Sequence, residues 1–395
     1  MNSLNLTQNL SISHSRTISS TVPCFVTDST ATRISRLLVY GIVMAVSLVA
    51  NILIVAIVCG KEKRMKKPIN FFIVNIACCD LILTTVYMPR VVNIFSKGYE
   101  WLIDDIMGTV TCKFVAYAHE TAITVIVLTV VVISVERFFS LVFPFKTNLQ
   151  NPPFGIIIAS LWFVAAAFRF PIVYAIQLKT FRLRTYCILN LDEAFEAGTE
   201  KLYYQTVVVV LYACPLVAIL VFYTAIVITL MKQKHPGGGG CARRRMATRK
   251  ELRNRRVVRM ILIVVAVFII CWIFYFIQFV LYTYDIPIPC EAMFARLFLA
   301  HSNCAITPCL YFIFSENYRN GLKKIWLNAK RIFTSRNKNG REQDQAGEMI
   351  FAGSSDLPTE INQTSNSNIN LKKGNNFHLV VRTKGGNSMV MPLVF

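Results

Sequence analysis

Seven runs of apolar residues, each about 20 residues or longer, punctuate the chain near 37–59, 70–95, 109–142, 155–177, 202–231, 256–284 and 291–314. At a rise of about 1.5 Å per residue, about 20 helical residues cross a hydrocarbon core about 30 Å thick. No water inside that core satisfies backbone N–H and C=O groups, so a spanning run must close its hydrogen bonds within itself as a helix. The runs therefore predict an all-α membrane protein, a bundle of seven transmembrane helices. Several runs are longer than the membrane requires and should tilt or project beyond it. Composition agrees: 54% of residues are hydrophobic and 16% charged, against about 25% charged in soluble domains. The net charge of +21 would suit a nucleic-acid binder. Here the basic residues lie between apolar runs rather than across a soluble domain, so no nucleic-acid partner is expected.

Those basic residues set an orientation instead. Lys61, Lys63, Arg64, Lys66 and Lys67 follow the first run. Arg243, Arg244, Arg245, Arg249, Lys250, Arg253, Arg255, Arg256 and Arg259 precede or open the sixth, and Arg319, Lys323, Lys324, Lys330 and Arg331 follow the seventh. The positive-inside rule makes these segments cytoplasmic and the N-terminus extracellular. The alternate loops carry Glu100, Asp104, Asp105, Asp192, Glu193, Glu196 and Glu200. The expected organisation is an extracellular segment 1–36, a seven-span bundle 37–314, a short amphipathic eighth helix 315–333 on the cytoplasmic membrane face, and a polar, disordered cytoplasmic tail 334–395. The first 30 residues lack a charged-then-apolar leader pattern, so the first span is expected to serve as the anchor of a multi-pass plasma-membrane protein. Asn5 and Asn9 begin glycosylation sequons on the outer side. His235-Pro236 before Gly237, Gly238, Gly239 and Gly240 predicts a flexible cytoplasmic loop.

Most of the twelve cysteines sit within apolar runs, where a free thiol is a small hydrophobe. Cys24, Cys112, Cys187 and Cys290 lie on the outer, oxidising side, and four cysteines allow three pairings. Cys112 with Cys187 is the pairing expected first; Cys24 with Cys290 would then tie the N-terminus to the last outer loop. Polar groups inside spans are costly and mark function or interhelical hydrogen bonds. Asn51, Asp80 and Asn303 read as one hydrated polar core. Glu136-Arg137-Phe138 places an ion pair at the inner membrane boundary, and Phe145, after the helix-breaking Pro144, leaves an aromatic exposed there as a partner anchor.

Asn51, Ala77-Cys78-Cys79-Asp80, Cys112, Glu136-Arg137-Phe138, Trp162, Cys187, Pro215, Tyr223, Phe268, Cys271-Trp272 and Pro308-Cys309-Leu310-Tyr311 follow one another in an order and spacing that resembles the rhodopsin-like G-protein-coupled receptors, over about residues 35–335. The resemblance implies that Glu136 holds Arg137 at rest and releases it to a heterotrimeric G protein. Tyr223 and Tyr311 would then turn toward Arg137, Phe268 and Trp272 would relay ligand contact as span six swings outward, and Phe145 would seat in the G protein. An arrestin would read the phosphorylated tail. Four positions depart from the family: Phe138 for its Tyr, Thr307 for its Asn, Phe274 for the Pro that bends span six, and Ile126 for a Ser of its sodium site. Asn254 leaves span six without an acidic latch for Arg137.

His119 stands where amine receptors carry Asp and His301 where opsins carry the retinal Lys, so neither ligand is expected. Arg90, His119, Glu120, Arg169, Tyr204, Trp272, Tyr275, Phe279 and His301 form the candidate ligand-binding set. A mixed-charge, aromatic site below acidic loops suits a peptide, with Glu120 or Arg90 meeting a charged end. His119 and Glu120 satisfying one another is the structural alternative. The Pro89 region and Cys112-Lys113-Phe114 look like neuropeptide receptors, although the loop from Trp101 to Cys112 is long for them. A small molecule or lipid is the alternative ligand class. A multispan transporter should show repeats with broken helices, and an enzyme should show converging nucleophiles or metal ligands; neither pattern is present, and no cofactor or metal is expected.

Overall fold

The computed structural model describes residues 25, 28–60, 65–143, 154–181, 183–232, 241–284, 286–331, 380–382 and 388–390. The chain divides into two compact units, Met1–Lys330 and Arg331–Phe395. In the second, Val380–Arg382 pairs antiparallel with Ser388–Val390. Among its described residues the first contains seven helices long and apolar enough to cross a membrane: α1 Thr30–Cys59, α2 Pro68–Lys97, α3 Asp105–Val142, α4 Phe154–Ala175, α5 Thr199–Thr229, α6 Cys241–Thr283 and α7 Cys290–Phe314. Residues 316–331 form a further helix, α8.

The ends of the helices depart from the apolar runs for local reasons. Ser29 Oγ accepts the Thr32 N–H at 3.1 Å, so α1 is capped at Ser29 and starts before its apolar stretch. α6 reaches back to Cys241 because Arg and Lys are good helix formers that hydropathy does not detect. The long loop expected from Trp101 to Cys112 is helical from Asp105 onward. A π turn precedes a proline in both α2 and α5: Leu83–Tyr87 before Pro89, and Val209–Ala213 before Pro215. Proline removes an N–H and crowds the carbonyl four residues back, and the wider turn accommodates it.

α4 stops at Ala175, two residues before its predicted end, because Ile176 opens a β-strand. The seven-span helical bundle stands as expected, with one short hairpin added between α4 and α5. Strands β1 Ile176–Phe181 and β2 Arg184–Leu189 pair antiparallel, with Leu178 opposite Cys187. Cys187 is bonded to Cys112 on α3 with Cα atoms 5.7 Å apart, which fastens the hairpin over one end of the bundle. Thr185 reinforces it by accepting the Trp101 N–H at 2.7 Å and donating to Asp104 at 2.7 Å. Cys290 is disulfide-bonded too, while Cys24, Asn5 and Asn9 lie outside the described residues.

The helices form a ring in which α7 packs beside α1, and α3 runs through the middle against α2, α4 and α5. Outward faces stay apolar, as at Ile42, Phe163, Val221 and Ile270, which suits lipid as solvent. Interior polar side chains are matched across helices: Trp162 Nε1 donates to Asn75 Oδ1, and Asn75 Nδ2 to Thr129, both at 2.9 Å. Each such bond contributes about 0.6–2 kcal/mol in hydrocarbon. At the end opposite the hairpin, Tyr318 of α8 is buried, donates to Asn70 at 3.3 Å and stacks on Tyr311. Burial, then the neighbouring Tyr311, holds the Tyr318 phenol well above its ordinary pKa. Gly321 permits this approach, since a Cβ there would sit 2.5 Å from Ile57 Cγ2.

Candidate ligand-binding site

Beneath the hairpin, one polar network draws a member from every span. His119 and Glu120 are adjacent on α3, with His119 Nδ1 3.1 Å from Glu120 Oε1. Tyr275 of α6 donates to the same oxygen at 2.5 Å. Arg169 of α4 is 1% exposed, donates to Thr124 Oγ1 and to Tyr203 of α5, both at 2.9 Å, and places Nη2 3.2 Å from Glu120 Oε2. That last contact is an ion pair by distance, but neither atom makes a hydrogen bond. On the other side His301 of α7 sets Nε2 3.4 Å from His119 Nε2, and Tyr40 of α1 lies 2.7 Å from His301 Nδ1. Tyr87 of α2 stacks on His119 with ring centroids 3.6 Å apart.

One set of proton positions satisfies the chain with both histidines neutral. Tyr40 O–H donates to His301 Nδ1, His301 Nε2–H faces His119 Nε2, and His119 Nδ1–H donates to Glu120, because a carboxylate can only accept. A buried charge needs a partner, and Arg169 supplies one for Glu120.

The network borders a cavity of about 120 Å³ lined by Tyr87, His119, Glu120, Arg169, Tyr203, Tyr204 and Phe279, with Ala116, Ile172, Ile176 and Leu189 as its apolar wall. Five of the nine residues singled out for ligand binding thus share its wall. Tyr204 stacks on Phe279 at 5.1 Å. Trp272 is fully buried and touches Tyr275 and Phe268, at 5.3 and 6.0 Å between rings. Tyr275 and His301 reach the cavity through Glu120 and His119. Arg90 is placed elsewhere: it donates to the carbonyls of Glu100 and Tyr99 and covers the Trp101 ring. Beside it, burial raises the Tyr99 phenol to about 12.

Sequence reasoning passed over Tyr40, Tyr87, Thr124, Tyr203 and Arg296. Tyrosines and threonines are ordinary in spans and gave no signal. Arg296 did, as an ionisable residue within the seventh run. Its guanidinium covers the Tyr275 ring, Nη2 lies 3.0 Å from the Met293 sulfur, and Nε is buried without a hydrogen-bond partner among the described residues.

Toward the other end, Asn51 Nδ2 donates to the carbonyls of Ser47 and Cys304, both at 2.9 Å. Asp80 is fully buried with the Cys304 thiol as its side-chain hydrogen-bond neighbour, while Ile126 is buried where the family's Ser would stand. Thr307 Oγ1 lies 3.2 Å from Asn303 Oδ1, one residue before Pro308 inside α7. Glu136 chelates Arg137 through Nε and, at 2.7 Å, Nη2. Tyr223 is buried with its hydroxyl beside Ser134. Phe274 turns a half-exposed ring outward. Phe145 lies outside the described residues.

A ring of seven spans, a disulfide-held hairpin over one end, a polar cavity below it and an Arg–carboxylate pair at the other end define a seven-transmembrane receptor. The chain belongs to the rhodopsin family of seven-transmembrane receptors, whose sequence profile matches residues 50–311. It is similar to the substance-K receptor of Bos taurus, 27% identical over 289 residues, 72% of this chain and 73% of that receptor. It is likewise similar to the neuromedin-K receptor of Cavia porcellus, 29% identical over 295 residues, 73% of this chain and 64% of that receptor. The neuropeptide Y receptor type 2 of Cavia porcellus matches over a shorter stretch, 29% identical over 210 residues, 50% of this chain and 51% of that one.

Proposed function

We propose that this chain is a plasma-membrane receptor, hairpin end and N-terminus outside, that binds an extracellular peptide and activates a heterotrimeric G protein. The observation that carries the peptide reading is the cavity's size. Pockets that enclose a drug-sized molecule run about 300–1,000 Å³, whereas about 120 Å³ admits one side chain or one chain end. The rest of such a ligand stays outside, against the hairpin. The names of the similar receptors, substance-K, neuromedin-K and neuropeptide Y, support the same class. Within the cavity Glu120 already shares its charge with Arg169, which leaves the aromatic wall of Tyr87, Tyr204 and Phe279 to receive the entering group.

Signal transfer follows from two states with different ligand affinity. A ligand group that displaces Tyr275 from Glu120 presses on Trp272 and Phe268 and favours an outward α6. Arg137 then leaves Glu136 to meet the G protein, with Phe145 seated beside it. The tail is the site for an arrestin once phosphorylated, and α8 lies on membrane lipid with Tyr318 turned inward.

The test is nucleotide exchange on purified G proteins by receptor in lipid nanodiscs, screened against neuropeptides prepared with free and amidated ends. Peptide-dependent exchange is expected. Activation by lipids or small molecules alone would overturn the peptide reading.

A further inference from the structure

His119 and His301 stand 182 residues apart in sequence, yet α3 and α7 bring their Nε2 atoms to 3.4 Å, with both side chains buried. As a hydrogen bond that separation is long, against a usual range of about 2.7–3.2 Å. It matches a shared metal ion: two Zn–N bonds of about 2.0–2.1 Å at a tetrahedral angle hold their nitrogens about 3.3 Å apart. The far nitrogens carry the outer contacts that metal-ligating histidines use, a carboxylate on one and a hydroxyl on the other. Glu120 takes Nδ1 of His119, and Tyr40 takes Nδ1 of His301. The stacked Tyr87 fixes the His119 ring plane, and His119 borders the cavity, through which an ion and its remaining ligands can enter.

We propose that His119 and His301 form a binding site for a divalent transition-metal cation of the zinc class, bridging α3 and α7. Two imidazoles favour zinc, copper or nickel over the oxygen-seeking calcium and magnesium. Two coordination positions remain, for water or a donor atom of a bound ligand. Coordination moves the His301 proton from Nε2 to Nδ1, where it is donated to the Tyr40 oxygen, so both histidines stay neutral and no proton is released. The bridge ties α3, whose His119 lines the cavity, to α7 behind it, which makes the ion a modulator of the receptor's state. Metal binding is read without any agonist, so it stands or falls separately from the peptide reading.

The experiment uses the full chain in nanodiscs, stripped with chelator and with its accessible thiols alkylated, because Cys59, Cys78 and Cys214 are exposed free thiols that also attract zinc. Zinc itself is the probe, titrated in competition with a chromophoric chelator. One equivalent is expected. His119→Gln and His301→Gln should each weaken it at least tenfold, and Tyr40→Phe, which keeps both ligands, by a smaller factor. X-ray absorption of the zinc-loaded wild type should find two imidazole nitrogens, and this decides the matter if the histidine variants do not fold. Unchanged affinity in folded variants, or a bound ion without two imidazole ligands, would identify an adventitious ion only and overturn the proposal.

Discussion

Replacing Arg169 by Met should destabilise the receptor far more than replacing it together with its partner. The guanidinium stands 3.2 Å from Glu120 Oε2, which corresponds to about 5 kcal/mol of attraction at an effective dielectric of about 20. The desolvation cost of two buried ions opposes that gain, so the pair is worth much less net, but losing one member leaves the other charge stranded at a cost of about 3–5 kcal/mol. Arg169→Met alone should therefore cost about 3–5 kcal/mol, because Glu120 keeps its charge against His119 and Tyr275 only. Adding Glu120→Gln, which retains an acceptor for Tyr275, should recover most of it, leaving a coupling energy of about 3 kcal/mol. Unfolding of purified receptor in detergent, as a double-mutant cycle with surface abundance measured in parallel, supplies the numbers. Additivity within about 0.5 kcal/mol would mean that Glu120 and Arg169 do not share one buried charge pair, and the account of the network would fail.

Arg137→Ala should leave surface expression and peptide binding intact while lowering G-protein nucleotide exchange at least tenfold; unchanged exchange at matched expression would remove Arg137 from the coupling surface. Gly321→Val should cost about 1–3 kcal/mol in thermal unfolding, because its Cβ would overlap Ile57. A variant as stable as wild type would show that α8 does not pack closely on α1.

The existence of seven spans was legible because hydrocarbon demands about 20 apolar residues for each crossing. Their ends were not, since capping by Ser29 and the helix propensity of the arginines after Cys241 act where hydropathy is silent. The hairpin escaped for another reason. Ile176 to Leu189 has no Gly at its turn, where Leu183 takes φ +64, and a short apolar run next to a helix does not declare itself a strand.

The chain's own order of residues determined that His119, Glu120, Arg169, Arg296 and His301 would be carried into hydrocarbon, where each must find a partner or a task. It did not determine the partners. Glu120 could have met a ligand cation, His119 alone or Arg169, and Arg90 could have entered the cavity instead of closing a loop. Those outcomes depend on the rotation of each helix about its axis and on the depth at which α3, α4 and α7 cross. Close packing of many side chains sets both. A few ångströms of slide or a fraction of a turn would separate the Nε2 atoms of His119 and His301 without altering one apolar run, so only the tertiary structure decided that they face each other.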